Sequence, residues 1–254
     1  VNMYNGPDGC LYIVDMYRGI LQHKVYVTSF LRKQIIERKL DAPIGLGRIY
    51  RVVHTGQKPK QSPKVSAQKP SQLIAHLESD NGWLRSTAHR LLVQRADAKA
   101  IPQLRETATH SESHLARQHA LWILEGTGGL DDDTIAAAMG DGHPRVRIAA
   151  LRVAEAFTAG SGKTEARIAL LTPLTKIVRD ENVDVRRQVA LSLPVISVPG
   201  TEPMLRAFVA KHASDAIIRT GLVTGLAGRE LEFLQRVPGD AVWNKEEKNV
   251  RAII

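Results

Sequence analysis

The chain has 254 residues, of which 43% are hydrophobic and 24% are charged, a composition typical of a globular protein. The sequence contains no run of eighteen apolar residues, so it predicts no membrane-spanning helix. Its single cysteine, Cys10, excludes an internal disulfide and a CxxC metal or haem site. The net charge of +9 comes from residues 1–70, with 12 Lys or Arg against 4 Asp or Glu, whereas residues 71–254 carry 23 against 22. This near-neutral C-terminal part argues against nucleic-acid binding.

The N-terminal part predicts a small piece of β-structure with one helix. Dense turn chemistry at residues 5–9 precedes a short apolar strand at 10–14, and a partly buried strand follows at 48–53. Between the two strands, residues 28–40 predict a basic amphipathic helix. We expect a cap at Thr28 or Ser29 and an apolar side formed by Leu31, Ile35 and Ile36.

The same part of the chain resembles a known family. GPDGCLYIVDMYRG at 6–19 and LGRIYRVV at 46–53 resemble the closing blade of the six-bladed propellers of the soluble, quinoprotein glucose-dehydrogenase type. DMYRGILQH at 15–23 and FLRKQIIERKL at 30–40 resemble the large multidomain, membrane-bound dehydrogenase-like proteins of planctomycetes and verrucomicrobia (PVC bacteria). In that group a propeller precedes a HEAT-repeat array and, commonly, a cytochrome c module. The resemblance implies that residues 1–57 are the C-terminal end of a β-propeller.

Two strands and a helix cannot close a propeller, because each blade needs four strands and neighbouring blades close the ring. We therefore expect the chain to be an internal segment of a longer protein, in which any sugar or alcohol dehydrogenase activity needs upstream blades. For that full-length protein the resemblance implies a periplasmic or cell-envelope location, with PQQ and haem c as cofactors. No cofactor is expected in this segment itself.

Four residues after the first predicted strand are the candidates for a functional site. Asp15, Tyr17, Arg18 and His23 leave the end of a blade strand, where propeller loops face the central channel. Arg18 and His23 are candidates for catalysis, through anion binding or proton transfer, and Asp15, Tyr17 and Arg18 for cofactor binding. The alternative is structural: Asp15 and Arg18 pair to fix the turn.

A recurring phrase predicts an array of about five HEAT repeats at residues 71–235. In it an apolar residue precedes an arginine, a small or apolar residue follows three positions later, and leucine-type residues come about one turn beyond. The arginines are 30 to 39 residues apart, which is typical of stacked helical hairpins. They are Arg85, Arg117, Arg147, Arg186 and Arg219, and the HEAT pattern D…VR..A..AL is best matched after Asp141 and Asp180.

Each repeat should contain two antiparallel helices. First helices are predicted near 71–78, 98–108, 132–139, 165–179 and 202–212, with a sixth from 229 to about 237. Second helices are predicted near 82–95, 113–125, 144–157, 183–195 and 215–227. A Pro- and Lys-rich linker at 58–70, expected to be extended and solvent-exposed, precedes the array, and an exit segment at 236–254 follows it.

Several side chains of the array have predicted structural roles. An Asp just before a second helix should cap it, and the repeat arginine should reach a neighbouring Asp, which builds a ladder along the stack. Ala88, Ala120 and Ala150 predict close helix packing, and Trp83 and Trp122 predict core or inter-repeat plugs. The predicted core leucines are Leu73, Leu77, Leu104, Leu124, Leu151, Leu171, Leu191 and Leu205.

Two further motifs give weaker indications of chemistry. GSGKT at 160–164 resembles the end of a phosphate-binding loop, but Phe157 stands where that motif needs glycine, so we interpret it as a turn inside the fourth repeat. His110, His114 and His119 cluster, but a predicted helix start separates the first two and no cysteine lies nearby, so no metal site is predicted.

The sequence thus predicts a mainly α protein, a HEAT-repeat α-solenoid preceded by a small β piece with one helix, the last blade of a six-bladed propeller. The resemblance implies a segment of a periplasmic quinoprotein-like dehydrogenase in which the HEAT array is a non-catalytic spacer and docking scaffold. The alternative is a HEAT-repeat protein–protein interaction module with no enzymatic activity. Either way, the expected partner is a protein or a neighbouring domain of the same chain.

Overall fold

The computed structural model describes residues 2–236, apart from residues 43, 57, 59, 161–167 and 197. The chain divides into two compact units. We call Val1–Ala67 with Ser79–Thr87 the β-unit, and Gln68–Glu78 with Ala88–Ile254 the repeat unit. Helices dominate the described residues and a three-stranded sheet accompanies them, so the predicted fold class is confirmed. Among these residues, no helix combines the length and the apolar character needed to cross a bilayer.

The sheet of the β-unit is antiparallel throughout. Strand β1 (Asn2–Asn5) pairs with β2 (Leu11–Asp15), which pairs on its other side with β3 (Arg48–Val52). Strand β1 is not predicted by the sequence, because this four-residue stretch is polar at both ends and carries no strand pattern of its own. The turn between β1 and β2 lies where its residues predicted it, with Gly9 at a φ of 82°.

Little of this sheet is covered by other described residues. All side chains of β1 and β3 are exposed, and those of β2 are at most half-buried. The strand predicted at 48–53 forms as β3, but its predicted partial burial is wrong: no described element packs over its apolar side chains, and Ile49 is 67% exposed. Both outer strands also lack a second strand partner in the described sheet.

Helix α1 (Ser29–Glu37) forms within the predicted range but is shorter. Thr28 Oγ1 accepts a hydrogen bond from the Leu31 amide at 3.3 Å, so Thr28 is the cap. The predicted apolar side is not a buried one, because no residue of α1 is buried in the described structure. The helix and the sheet therefore both leave apolar surface open to solvent.

The predicted linker is neither wholly extended nor wholly exposed. Val65–Ala67 form a 3₁₀ turn, and Val65 is buried. The amide of Lys60 donates to the carbonyl of Asp8 at 3.1 Å. The expectation fails because Val65 is the one large apolar side chain of this segment, and its removal from water is favourable.

Helices alternate through the repeat region as the spacing predicted. The first helices are α2 (Pro70–Ala75), α4 (Ile101–His110), α6 (Asp132–Met139), α8 (Leu171–Ile177), α10 (Thr201–His212) and α12 (Glu230–Arg236). The second helices are α3 (Gly82–Arg95), α5 (His114–Gly126), α7 (Pro144–Gly160), α9 (Val183–Ser192) and α11 (Ala216–Gly225). The GSGKT motif after Gly160 and the predicted exit segment after Arg236 lie outside the described residues.

The core of the repeat unit lies between these helices. Helix α4 packs against α5, α6 against α7, α7 against α9, and α9 against α11. The small residues Ala88, Ala120 and Ala150 are fully buried, which confirms the close packing predicted for them. Trp83 and Trp122 are half-buried. Six of the predicted core leucines are buried, namely Leu73, Leu77, Leu104, Leu124, Leu151 and Leu205.

Two of the predicted core leucines are not fully buried. Leu171 is half-buried, and Leu191 is 37% exposed, so the prediction for Leu191 is wrong. Leu191 lies five residues after its repeat arginine, at a position whose counterparts Arg90 and Arg152 face solvent. Leu193, two residues later, takes the buried place instead.

Candidate functional site

The five repeat arginines make the same hydrogen bond. In each case Nη1 donates to the carbonyl oxygen six residues earlier, in the turn before the second helix. The pairs are Arg85 with Ser79 (2.5 Å), Arg117 with Ser111 (2.5 Å), Arg147 with Asp141 (2.8 Å), Arg186 with Asp180 (3.0 Å) and Arg219 with Ala213 (2.6 Å). The arginines therefore occupy one structural position, as their spacing predicted.

At two repeats the arginine also pairs with the aspartate of the next repeat. Arg117 donates from Nε and Nη2 to the carboxylate of Asp141 at 2.6 and 2.9 Å. Arg147 makes the same two bonds to Asp180, again at 2.6 and 2.9 Å. All four side chains are largely buried, which makes these bidentate pairs strong. The predicted ladder is confirmed at these two steps.

The ladder ends where the aspartate is missing from its position. Six residues before Arg219 the chain has Ala213, and Nε of the preceding repeat arginine, Arg186, is buried without a hydrogen-bond partner in the described residues. The neighbouring Arg187 instead reaches Asp215, at 3.2 Å. In the fifth repeat the aspartate, Asp215, stands four residues before the repeat arginine instead of six, so it cannot take the place of Asp141 or Asp180 in the ladder.

The aspartates of the ladder do not cap their helices directly, which corrects one expectation. Asp141 accepts from the amide of His143 at 2.7 Å, and Asp180 accepts from that of Asn182 at 2.8 Å. The side chains of His143 and Asn182 then accept the first helical amides. The aspartates lie two residues too early to reach the helix. Only Asp215 caps as predicted, by accepting from the Ile217 amide at 2.8 Å.

In the β-unit, three of the four candidate residues lie together. Asp15, Tyr17 and Arg18 line a cavity of about 410 Å³ whose wall also includes Lys39. His23 is not part of this wall, and its Nδ1 accepts from the amide of Val25 at 3.4 Å. Tyr17 and Lys39 have φ angles of 42° and 52°. Such strained backbone at non-glycine residues often accompanies functional sites.

Asp15 fixes the turn, but its ionic partner differs from the one predicted. Its carboxylate accepts from the Tyr17 amide at 2.9 Å and lies 3.6 Å from Nε of Arg48 on β3. The Arg48 guanidinium stacks 3.9 Å from the ring centroid of Tyr17. Arg18 makes no hydrogen bond or ion pair with any residue that the structure describes. The cavity wall therefore carries two cations, Arg18 and Lys39, and one carboxylate, that of Asp15, which lies beside Arg48.

Asp8, which the sequence analysis passed over, holds the β1–β2 turn. It is only 6% exposed, and its carboxylate accepts from the Cys10 amide at 3.0 Å and the Tyr12 hydroxyl at 2.9 Å and pairs with Arg51. The Cys10 amide, with Tyr12 and Arg51, holds the pKa of Asp8 below its usual value. The GPDG pattern predicted a turn at Asp8. Its partners, Tyr12 on β2 and Arg51 on β3, follow only from the register of the two strands.

The histidines pair between neighbouring second helices. Nδ1 of His89 lies 3.1 Å from Nδ1 of His119, and the rings of His114 and His143 stack with centroids 3.8 Å apart. His110, the third member of the predicted cluster, is exposed beside Glu106. In the part of the chain that the structure describes, no group of three side chains is arranged to hold a metal ion.

We expect two of these histidines, His89 and His143, to make the stability of the protein pH-dependent. Burial lowers the pKa of His89 and of His143, and the cationic form of His143 is further disfavoured by His114, Arg117 and Arg145 against the opposing effect of Asp141. As the pH falls, the unfolded chain therefore binds protons at a higher pH than the folded chain does. The free energy of unfolding consequently decreases from about pH 6.5 down to the lower pKa values that these two histidines have in the folded state. The loss is at most about 1.4 kcal/mol per pH unit for each proton.

Urea unfolding at pH 7.5 and 5.5 measures this effect, and we expect a lower unfolding free energy at pH 5.5. The double variant His89→Gln/His143→Gln should have a flatter pH dependence. The control His110→Gln, at an exposed histidine, should leave the slope unchanged. An identical slope in the double variant and the parent protein would refute the assignment.

A larger cavity of about 720 Å³ lies at the last described repeats. Apolar residues such as Leu226 and Phe233 form most of its wall, together with Arg229 and Glu202. Arg229 is bound to the carbonyl of Pro194, and Glu202 pairs with Arg206 and Arg236. Both charged side chains are thus already engaged in hydrogen bonds or ion pairs with described residues.

One family profile matches the N-terminal part of the chain. A family profile described as a domain of unknown function (DUF7133) matches residues 1–56, which contain the described sheet and α1. No curated protein matches the chain.

Several solved structures that are similar to this chain are of engineered or designed proteins. An engineered protein of the Northeast Structural Genomics Consortium shares 17% identity over 73% of this chain and 97% of its own, with a TM-score of 0.43. A designed armadillo repeat protein in complex with a (KR)4 peptide shares 15% over 74% of this chain and 100% of its own, with a TM-score of 0.41. Another designed armadillo repeat protein shares 15% identity over 73% of this chain and 100% of its own, with a TM-score of 0.41. At these levels the similarities indicate no function for this chain.

Proposed function

We propose that the repeat unit is a non-catalytic scaffold that docks another protein, or another domain of the same chain. The observation that carries this proposal is that the repeat arginines form hydrogen bonds within the array itself. Each one is bound to the turn of its own hairpin, and Arg117 and Arg147 also bind the next hairpin. The polar residues that recur with the repeat therefore hold the array together, and what it offers a partner is its outer surface.

The second helices provide the more suitable surface for docking. Their exposed positions carry arginines and a half-buried tryptophan, Trp122, side chains that are enriched in protein interfaces. The repeat spacing brings equivalent positions of successive helices side by side. A partner can therefore contact several repeats through one kind of position.

Site-specific photo-crosslinking in the full-length protein tests this scaffold role. A photoreactive residue is placed at exposed positions of second helices, Gln94, Ala156 and Thr224, and at matched exposed positions of first helices, Gln103, Ala137 and Ala207. We expect crosslinks to a protein or to another domain from the second-helix positions only. Crosslinks from neither set, or equally from both, would contradict the proposal.

We further propose that this scaffold belongs to a periplasmic quinoprotein-like dehydrogenase, with the β-unit as its last propeller blade. Two features support this context. The outer strands have no further partner among the described strands and the sheet faces are open, as expected of a blade that needs neighbours. The cavity beside β2 combines Arg18 and Lys39, whose charges suit an anionic ligand.

The two cofactors implied by the resemblance differ in their fit to this chain. PQQ carries carboxylates that Arg18 and Lys39 would hold, and when bound it would supply the quinone that is reduced. Covalent haem c does not fit these residues, because Cys10 is the one cysteine of the chain and it is buried. A haem of the full-length protein would therefore be held by residues other than these.

Substitution of Arg18 tests the catalytic context. In the full-length protein, Arg18→Ala is expected to abolish sugar or alcohol turnover without lowering the melting temperature, because Arg18 has no partner among the described residues. The control Lys33→Ala removes an exposed cation from α1 and should leave turnover intact. A lowered melting temperature with turnover retained would assign Arg18 a structural role instead.

A further inference from the structure

Three exposed arginines on the second helices α3 and α7 have no carboxylate partner among the described residues. Arg90 lies on α3, and Arg145 and Arg152 lie on α7. The side chain of Arg90 bonds only to Gln94 of its own helix, at 3.4 Å. Other arginines of the repeat unit do pair with carboxylates, namely Arg105, Arg117, Arg147, Arg187, Arg206 and Arg236. These three cations therefore remain available to a partner.

Two of these arginines flank Trp122 in a regular row. Arg90, Trp122 and Arg152 each lie five residues after a repeat arginine, so they are equivalent positions of three successive repeats. The Arg152 guanidinium lies 5.1 Å from the ring of Trp122, which joins the row between α7 and α5. The contact between His89 and His119, at neighbouring positions, joins α3 to α5. We call Arg90, Trp122 and Arg152 the Arg–Trp–Arg row.

Acidic side chains do little to neutralise this surface. Glu155 on α7 is half-buried and accepts a hydrogen bond from the Ser192 hydroxyl. Asp184 on α9 pairs with Arg187 on the same helix. Glu125 on α5, which is half-buried, is the remaining carboxylate of these helices near the row, against the charges of Arg90, Arg145 and Arg152. The surface is therefore positive around a central aromatic ring.

We propose that the Arg–Trp–Arg row docks an extended acidic segment of a partner protein, an inference that rests on the scaffold function proposed above. Packed helices lie about 8–10 Å apart, and an extended chain advances about 3.3 Å per residue. Three residues of the segment therefore span one repeat, and about six span the row from Arg90 to Arg152. The segment carries an acidic residue at each end of this span and an apolar or aromatic residue between them, over Trp122.

An acidic peptide suits this surface better than a nucleic acid does. Arg90 and Arg152, which lie on the second helices before and after that of Trp122, match a few carboxylates at fixed spacing. A protein that follows a phosphate backbone needs a longer series of cations, and its affinity depends on their number. Residues 71–254 carry 23 Lys or Arg against 22 Asp or Glu, so this part of the chain has no large excess of cations to follow a phosphate backbone.

Fluorescence anisotropy with short labelled peptides tests the proposal. The probe is a Gly/Ser peptide with a Phe flanked by two Glu residues six positions apart, and the controls are the same peptide with Lys for Glu and an oligothymidylate of equal length. We expect the intact protein to bind the Glu peptide and not the Lys peptide. Arg90→Ala and Arg152→Ala should each weaken this binding about tenfold, which corresponds to one charged contact.

The matched control is Arg179→Ala, which removes an exposed arginine that lies just after α8, on a first-helix side of the array. It should leave peptide affinity unchanged. Failure to bind the Glu peptide, equal binding of the Lys peptide, or tighter binding of the oligothymidylate would each overturn the proposal. If photo-crosslinks still form from the second helices in that case, the scaffold function stands and only the acidic class of partner is wrong.

Discussion

Replacement of Arg147 by alanine is expected to lower the unfolding free energy by about 3–5 kcal/mol, because it leaves a buried carboxylate without its cation. Arg147 makes two bonds to the Asp180 carboxylate and a third to the Asp141 carbonyl. The side chains of Arg147 and Asp180 are 17% and 6% exposed, so water replaces little of what is lost. Urea-induced unfolding measures the change.

The control for this experiment is Arg179→Ala, at an exposed arginine outside the ladder. It should change stability by no more than about 0.5 kcal/mol. If the two alanine variants unfold at the same urea concentration, Arg147 is not part of a buried ladder, and the structural assignment of the repeat arginines fails.

Replacement of Leu124 by alanine is expected to cost about 2–5 kcal/mol, because it leaves a cavity in the centre of the array. Leu124 on α5 is fully buried. Leu191 on α9 offers the matched control, since the same substitution at this exposed leucine should cost less than about 1 kcal/mol. Equal losses at the two positions would contradict the register of α9 that the structure assigns. The midpoint of thermal or urea unfolding is a sufficient measurement.

The repeat architecture was predictable because one position of each hairpin is under a strong local constraint. An arginine one turn into the second helix reaches back to the carbonyl six residues earlier, so its place in the sequence is fixed by its place in the turn. The apolar residues around it follow the helical period of 3.6 residues. Both signals are local, and a single sequence shows them.

Contacts that depend on residues far apart in the chain were not predictable in the same way. The structural alternative for the candidate site paired Asp15 with Arg18, three residues away, but the register of β2 and β3 places Arg48 opposite Asp15. The His114–His143 stack likewise depends on how one repeat lies on the next. Neither pairing follows from local spacing.

Burial was predicted less well than helix position. Leu191 was expected in the core because it continues an apolar pattern, but near the end of α9 the buried place falls on Leu193. A shift of two positions along the chain moves a side chain to a different face of a helix. In the candidate site, Asp15, Tyr17 and Arg18 lie close together in the sequence and line one cavity. The sequence gave no signal for Lys39, whose part in the cavity depends on how the chain folds back after α1.

A double-mutant cycle between Arg147 and Asp180 tests most directly whether the repeat arginines join successive hairpins. The single variants Arg147→Ala and Asp180→Ala and their combination are unfolded in urea, and the same is done for Arg117 with Asp180, which do not pair in the structure. We predict a coupling energy of about 1.5 kcal/mol or more for the first pair, and additivity within about 0.5 kcal/mol for the second. Additivity in both pairs would contradict the stacking of hairpins described here.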